Sequence, residues 1–142
     1  RLGIDAVNET CAALGLTQTV LARLMMDTDA QAQGRENYTS ARDAATVLQH
    51  LAAGTIATPE LCERARGYLL AQEDMRGIVE GVPSDVSVAH KTGSLANAQH
   101  DASIVYAEYP YVLVVLTQDL GCEQALALER DISSAIYARA HS

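Results

Sequence analysis

Apolar positions recur with a helical period through the first part of the chain and with a strand-like period after Pro83. Ile4, Val7, Cys11 and Leu14 fall at i, i+3, i+7 and i+10, which predicts an amphipathic helix ended by Gly15. The stretch 17–26 is apolar without clear period, and 27–37 is polar with Gly34 inside, predicting a surface loop. Ser40 stands three residues ahead of Asp43, a capping arrangement, and Ala44, Val47, Leu48 and Leu51 follow as an apolar stripe up to Gly54. Thr58-Pro59-Glu60 places a cap, a first-turn proline and a first-turn acid before Leu61, Ala65, Tyr68 and Leu69, predicting another helix. Residues 74–80 add one or two turns at most, and Gly81-Val82-Pro83 breaks the pattern.

Three strands are expected next: 86–92 in loose alternation, 102–108 rich in Ile, Val and Tyr, and the nearly continuous apolar run 111–117. Tyr109-Pro110 makes the second connection tight, so the last two strands should form an antiparallel hairpin, with the third strand the most buried. From Gly121 the helical period returns, with Leu128, Ile132, Ala135 and Ile136 on the face expected to cover the sheet. The expected fold class is α+β. A mainly helical region, 1–83, precedes three antiparallel strands and a C-terminal helix, 84–142, together forming one partial domain.

Composition narrows the function classes. With 142 residues and 49% hydrophobic content the chain can bury a core. A net charge of -8 without clustered Lys or Arg disfavours nucleic acid and anionic membrane surfaces as partners. No apolar run approaches the ~20 residues of a membrane span. Cys11, Cys62 and Cys122 are widely spaced and odd in number, which argues against a disulfide framework or a CxxC pair, and the scattered Cys and His residues offer no metal cluster. His50 and His141 read as surface residues, and Cys62 has no neighbouring histidine.

Lys91 is the sole lysine, and it lies in Lys91-Thr92-Gly93-Ser94 at the end of a predicted strand. An acyl substrate bearing a carboxylate needs a fixed cation, a hydroxyl and close backbone approach along one edge. Lys91 supplies charge, Thr92 a hydroxyl donor, and Gly93 an absent side chain. The N–H of Ser94 is placed to serve as one donor of an oxyanion hole. A K-T-G strand belongs to the signature set of class A β-lactamases and penicillin-binding proteins, together with S-x-x-K and S-D-N.

The order of segments extends the likeness. Val88-Ala89-His90-Lys91-Thr92-Gly93-Ser94, followed by His100-Asp101 and a Tyr-rich hairpin, resembles the sheet of that family from its K-T-G strand onward. Upstream, 1–8 resembles the helix shortly after its S-D-N motif, and 34–40 resembles the approach to a later helix. The resemblance covers essentially the whole chain. It implies a β-lactamase/transpeptidase-like fold, of which this is the C-terminal portion, and exported bacterial localisation without a cofactor or metal. It further implies serine acyl-enzyme chemistry on a β-lactam or peptidoglycan-like substrate, with Lys91 and Ser94 in catalytic roles and Lys91, Thr92, Gly93, Ser94 and His100 binding substrate.

Two departures qualify it. Val88 stands three residues before Lys91, so no S-x-x-K exists here, and Ser84-Asp85-Val86 is not S-D-N. The opening Arg1-Leu2-Gly3-Ile4 carries no initiator methionine or leader. The nucleophile is therefore expected in an N-terminal portion upstream of Arg1, as the partner of a truncated or cleaved chain that is inactive alone. The loop 27–37 also lacks the family's E-x-x-L-N pattern, leaving Asp27, Asp29 and Glu36 as candidates to activate the deacylating water. Three readings stay open: β-lactam hydrolysis, a penicillin-binding protein or D-Ala-D-Ala peptidase with slow deacylation, and a non-catalytic binding domain of the same fold.

Overall fold

A computed structural model describes residues 2–141; Arg1, the first residue of the 1–8 segment, and Ser142 lie outside them. The element order is α1 (Ile4–Ala13), α2 (Thr28–Ala32), α3 (Ala41–Ala52), α4 (Pro59–Leu70), a 3-10 turn (Gly77–Gly81), β1 (Ser87–Leu95), β2 (Ala98–Tyr106), β3 (Tyr111–Leu116) and α5 (Cys122–Ala140). The chain divides into two compact units, 1–47 and 48–142, with the boundary inside α3. No described helix is long and apolar enough to cross a membrane.

In the first unit, α1 stops where Gly15 takes φ +72, and Ile4, Val7, Cys11 and Leu14 form its half-buried side. The expected surface loop holds a short helix, α2, because the Asp27 side chain accepts from Ala30 N and caps it. Val20 and Tyr38 pair as an isolated bridge. Ser40 caps α3 through the Asp43 N–H at 3.1 Å. The Asp43 carboxylate does not complete a reciprocal box. It is buried and accepts from Gln18 N at 2.8 Å and Thr19 Oγ1 at 2.7 Å, pinning the stretch ahead of β-bridge residue Val20 to the helix start.

The second unit packs helices on the antiparallel sheet β1-β2-β3. Thr58 caps α4 as its sequence predicts. The helix nevertheless buries Cys62, with Ala65 and Leu69 beside it, and leaves Leu61 and Tyr68 exposed. Leu48, Leu51, Cys62, Ala89 and Ile104 form the core between α3, α4 and one face of the sheet. On the other face, Leu113 and Val115 meet Ile78 and Ile132.

Three expectations about this unit are corrected. The most buried strand is β2, not β3, because it is central and paired on both edges. β1 runs through Leu95 and β2 begins at Ala98, so a two-residue turn, Ala96-Asn97, closes a hairpin that strand propensity alone did not mark. Asn97 O accepts from Asp119 N at 2.8 Å, which ties that turn to the stretch after β3. Finally, α5 buries Ala125, Leu126, Glu129 and Ser133 and exposes Leu128 and Ile136. Its inward face mixes apolar and polar side chains, and it is small at Ser133, where the 3-10 turn comes too close for a larger one. A Cβ on Gly81 would stand 2.4 Å from Ser133 Cβ and 2.6 Å from Arg130 O.

Candidate active site

Lys91, Thr92, Gly93 and Ser94 lie inside β1 rather than at its end. β1 is an edge of the described sheet, and Lys91 and Ser94 are exposed while Thr92 and Gly93 are half-buried. Successive strand residues point to opposite faces. Lys91 and Gly93 therefore share the face of core residue Ala89, and Thr92 and Ser94 share the face of His90. Along the outer edge of β1 the two sets alternate. Lys91 Nζ turns back to donate to Thr92 O.

The register sets Gly93 opposite His100 and Ser94 opposite Gln99. His100 is thus brought beside the motif, within β2. Its Nδ1 accepts from Thr117 N at 3.1 Å, which fixes the ring in the Nε2–H tautomer and anchors it to the end of β3. The ring offers an N–H donor to a ligand at Gly93. Gly93 itself answers no need of the fold. Its φ is not positive, and an added Cβ would find only His100 Cβ and Cδ2 at an ordinary 3.6 Å.

The acids of 27–37 belong to the first unit, and two of them are engaged. Asp27 caps α2. Glu36 accepts from Arg23 Nη2 at 2.9 Å, and this guanidinium holds its carboxyl below the usual carboxylate range. Asp29 is exposed in the first turn of α2. His50 and His141 are half-buried rather than surface residues: His50 Nδ1 bonds Thr55 Oγ1 at 2.8 Å, and His141 stacks on Tyr137 at 4.2 Å between ring centroids. All three cysteines are free thiols. Among the described residues no group of three or more His, Cys, Asp or Glu could hold a metal ion. Two clefts, which share Leu70 and Ser87 in their walls, open at the Ser87 end of β1, roughly 13 Å along the strand from Lys91.

Sequence reasoning missed a buried ionisable group directly behind the motif. His90, Asp101 and Glu129 are each 1% exposed. His90 Nδ1 donates to Asp101 Oδ1 at 3.0 Å and lies 3.2 Å from Oδ2. The signal was available once the two-residue turn is placed. Thr92 then faces Asp101 and His90 faces Ser103, so His90 and Asp101 become diagonal neighbours on one face.

Helices on an antiparallel sheet, with a K-T-G edge strand and a C-terminal helix behind it, define the C-terminal half of the fold shared by class A β-lactamases and their penicillin-binding relatives. PBP-A superposes with a TM-score of 0.87 at 23% identity, over 98% of this chain and 52% of that one. A β-lactamase from Sphaerobacter thermophilus gives 0.81 at 27% identity, over 94% and 52%. A class A representative from Bacteroides cellulosilyticus gives 0.83 at 22%, over 96% and 53%. The profile of the Beta-lactamase enzyme family matches residues 1–140, and the chain belongs to that family. It spans about half the length of the solved structures it matches. No curated protein matches it by sequence.

Proposed function

We propose that this chain supplies the substrate-binding wall of a site in which a β-lactam is opened through a serine acyl-enzyme, the serine being carried by an N-terminal portion of the same protein. The observation that carries the reading is Gly93. A glycine that neither backbone conformation nor packing requires, in the middle of an exposed edge strand, is explained by a ligand that needs the space above it. Lys91 and the Thr92 hydroxyl then hold the substrate carboxylate, assisted by His100 Nε2–H. The Ser94 N–H stabilises the oxyanion as the serine oxygen adds to the lactam carbonyl; the C–N bond then breaks and the proton lost by the serine hydroxyl ends on the ring nitrogen. Export of the protein follows the same reading.

A second reading, acylation followed by slow deacylation, is favoured by the engagement of Asp27 and Glu36. A carboxylate committed to a helix cap or an arginine is poorly suited to take a proton from water. One of the solved relatives is a leucine-to-glutamate variant of PBP-A captured as an acyl-enzyme with penicillin G. Intact-mass spectrometry of the full-length protein with penicillin G tests both. An adduct of substrate mass is expected. One that decays within seconds, with rapid turnover of a chromogenic cephalosporin, marks a true lactamase, and one that persists for hours marks a penicillin-binding protein. No adduct at any time overturns the acyl-transfer reading in favour of a non-catalytic binding domain.

A further inference from the structure

Between the His90 face of the sheet and α5 lie three buried ionisable side chains that acyl transfer does not employ: His90 and Asp101 from the sheet and Glu129 from α5. Groups of this kind are seldom buried without pairing or purpose. The His90–Asp101 bond accounts for one side of each partner, yet His90 Nε2 and Glu129 Oε1 remain buried without a hydrogen-bond partner among the described residues. The fold is shaped around Glu129. Gly77 takes φ +68, and a Cβ there would stand 2.4 Å from Glu129 Oε2, so the 3-10 turn closes directly on the carboxyl. One helical turn on, Ser133 Oγ donates to Ile78 O at 2.8 Å and locks α5 to that turn.

These groups interleave with the candidate site. His90 immediately precedes Lys91, and Asp101 follows His100 and stands opposite Thr92. We propose that His90, Asp101 and Glu129 form a positioning cluster that holds β1 in its substrate-binding conformation, and that loss of the Glu129 proton releases it. The consequence for substrate rests on the acyl-transfer reading above; the cluster itself does not.

With Glu129 protonated, the buried face holds Asp101 as a carboxylate accepting from His90. Ionisation sets a second buried carboxylate against Asp101 where the dielectric is low. The strain is relieved by parting α5 or the 3-10 turn from the sheet, which unseats Asp101 and with it His90 and Thr92. The charged groups around Glu129 are Asp101 and His90 from the sheet and Asp74 from the stretch ahead of the 3-10 turn. Asp74 is itself ion-paired to Arg76 at 2.8 Å. On α5 the neighbouring Arg130 and Asp131 pair with each other at the surface. Burial first, then Asp101 and Asp74, push Glu129 up to about 7, where the switch operates near neutral pH.

The test uses the full-length protein, wild type and Glu129→Gln, with a fluorescent penicillin as acylating probe between pH 5.5 and 8.5 and with the histidine ring resonances followed by NMR. In the wild type the second-order acylation rate is expected to fall by about tenfold per pH unit above the midpoint of Glu129. Glu129→Gln keeps the low-pH rate throughout, and the step in the His90 resonances at the same midpoint disappears with it. Parallel pH profiles in the two proteins overturn the proposal. Should penicillin label neither protein at any pH, the functional reading fails and the NMR arm decides alone: His90 resonances that titrate identically in both overturn the cluster. Should Glu129→Gln not fold, Glu129→Met, of similar volume and without charge, is read by the same outcomes.

Discussion

Gly93 and Glu129 are opposite kinds of residue, one conserving space the fold does not use and the other occupying space the fold makes costly. Because a Cβ at Gly93 meets only His100 at 3.6 Å, Gly93→Ala should leave thermal stability unchanged or slightly higher, since alanine loses less backbone freedom on folding. The same change should slow penicillin acylation of the full-length protein by about tenfold or more, as the methyl group stands where substrate approaches. Thermal unfolding beside acylation kinetics checks the pair; an equal loss of both would place Gly93 in the fold instead. Glu129 carries a pH dependence whose sign is set by its raised value. Folded, it keeps a proton up to about 7 that the unfolded chain releases near 4.5. Its contribution is therefore fully present below about 4.5, is lost as pH rises to about 7, and is level above that, for a total on the order of 3 kcal/mol. Denaturant titrations across that window should show the slope in wild type and its removal in Glu129→Gln.

At the scale of elements, local signals were legible and facing partners were not. The caps at Ser40 and Thr58 act on the backbone a few residues away, so sequence spacing alone specifies them. The inward face of α5 depends on a turn some fifty residues earlier, Gly77–Gly81, and its buried Glu129 and Ser133 are residues a hydrophobic stripe passes over. The K-T-G motif was readable because its chemistry lies in consecutive residues of one strand. The His90–Asp101 pair was not, because it requires the register of two strands and hence the turn at Ala96-Asn97. Two helix-related glycines separate these cases experimentally. Gly81→Ala drives a Cβ to 2.4 Å from Ser133 Cβ and 2.6 Å from backbone Arg130 O, and should cost about 2–4 kcal/mol. Gly67→Ala, inside α4 with nothing within 4 Å of the new Cβ, should stabilise by roughly 0.5–1 kcal/mol. Paired denaturant melts of the two variants measure both against wild type.

For the whole molecule, the features left uncovered fall in both compact units. In the second, β1 and β3 are edges of the described three-stranded sheet, and unpaired edges offer ready hydrogen-bonding templates. In the first, Leu24, Met25 and Met26 are consecutive and 58%, 78% and 87% exposed, and Met26 takes φ 65, outside any regular element. A chain spanning about half of its structural relatives is expected to present such surfaces to whatever completes the fold. We expect the isolated 142-residue chain to self-associate and the full-length protein to be monomeric. The net charge of -8 supplies a control, since like-charged copies repel at low ionic strength. Association through edges and apolar surface should therefore strengthen between about 20 mM and 500 mM salt, where the Debye length falls from roughly 20 Å to 4 Å. Light scattering at both salt concentrations reads this directly, and a well-folded monomer at high salt would mean that the edges and the Leu24–Met26 patch are self-sufficient and need no completing segment.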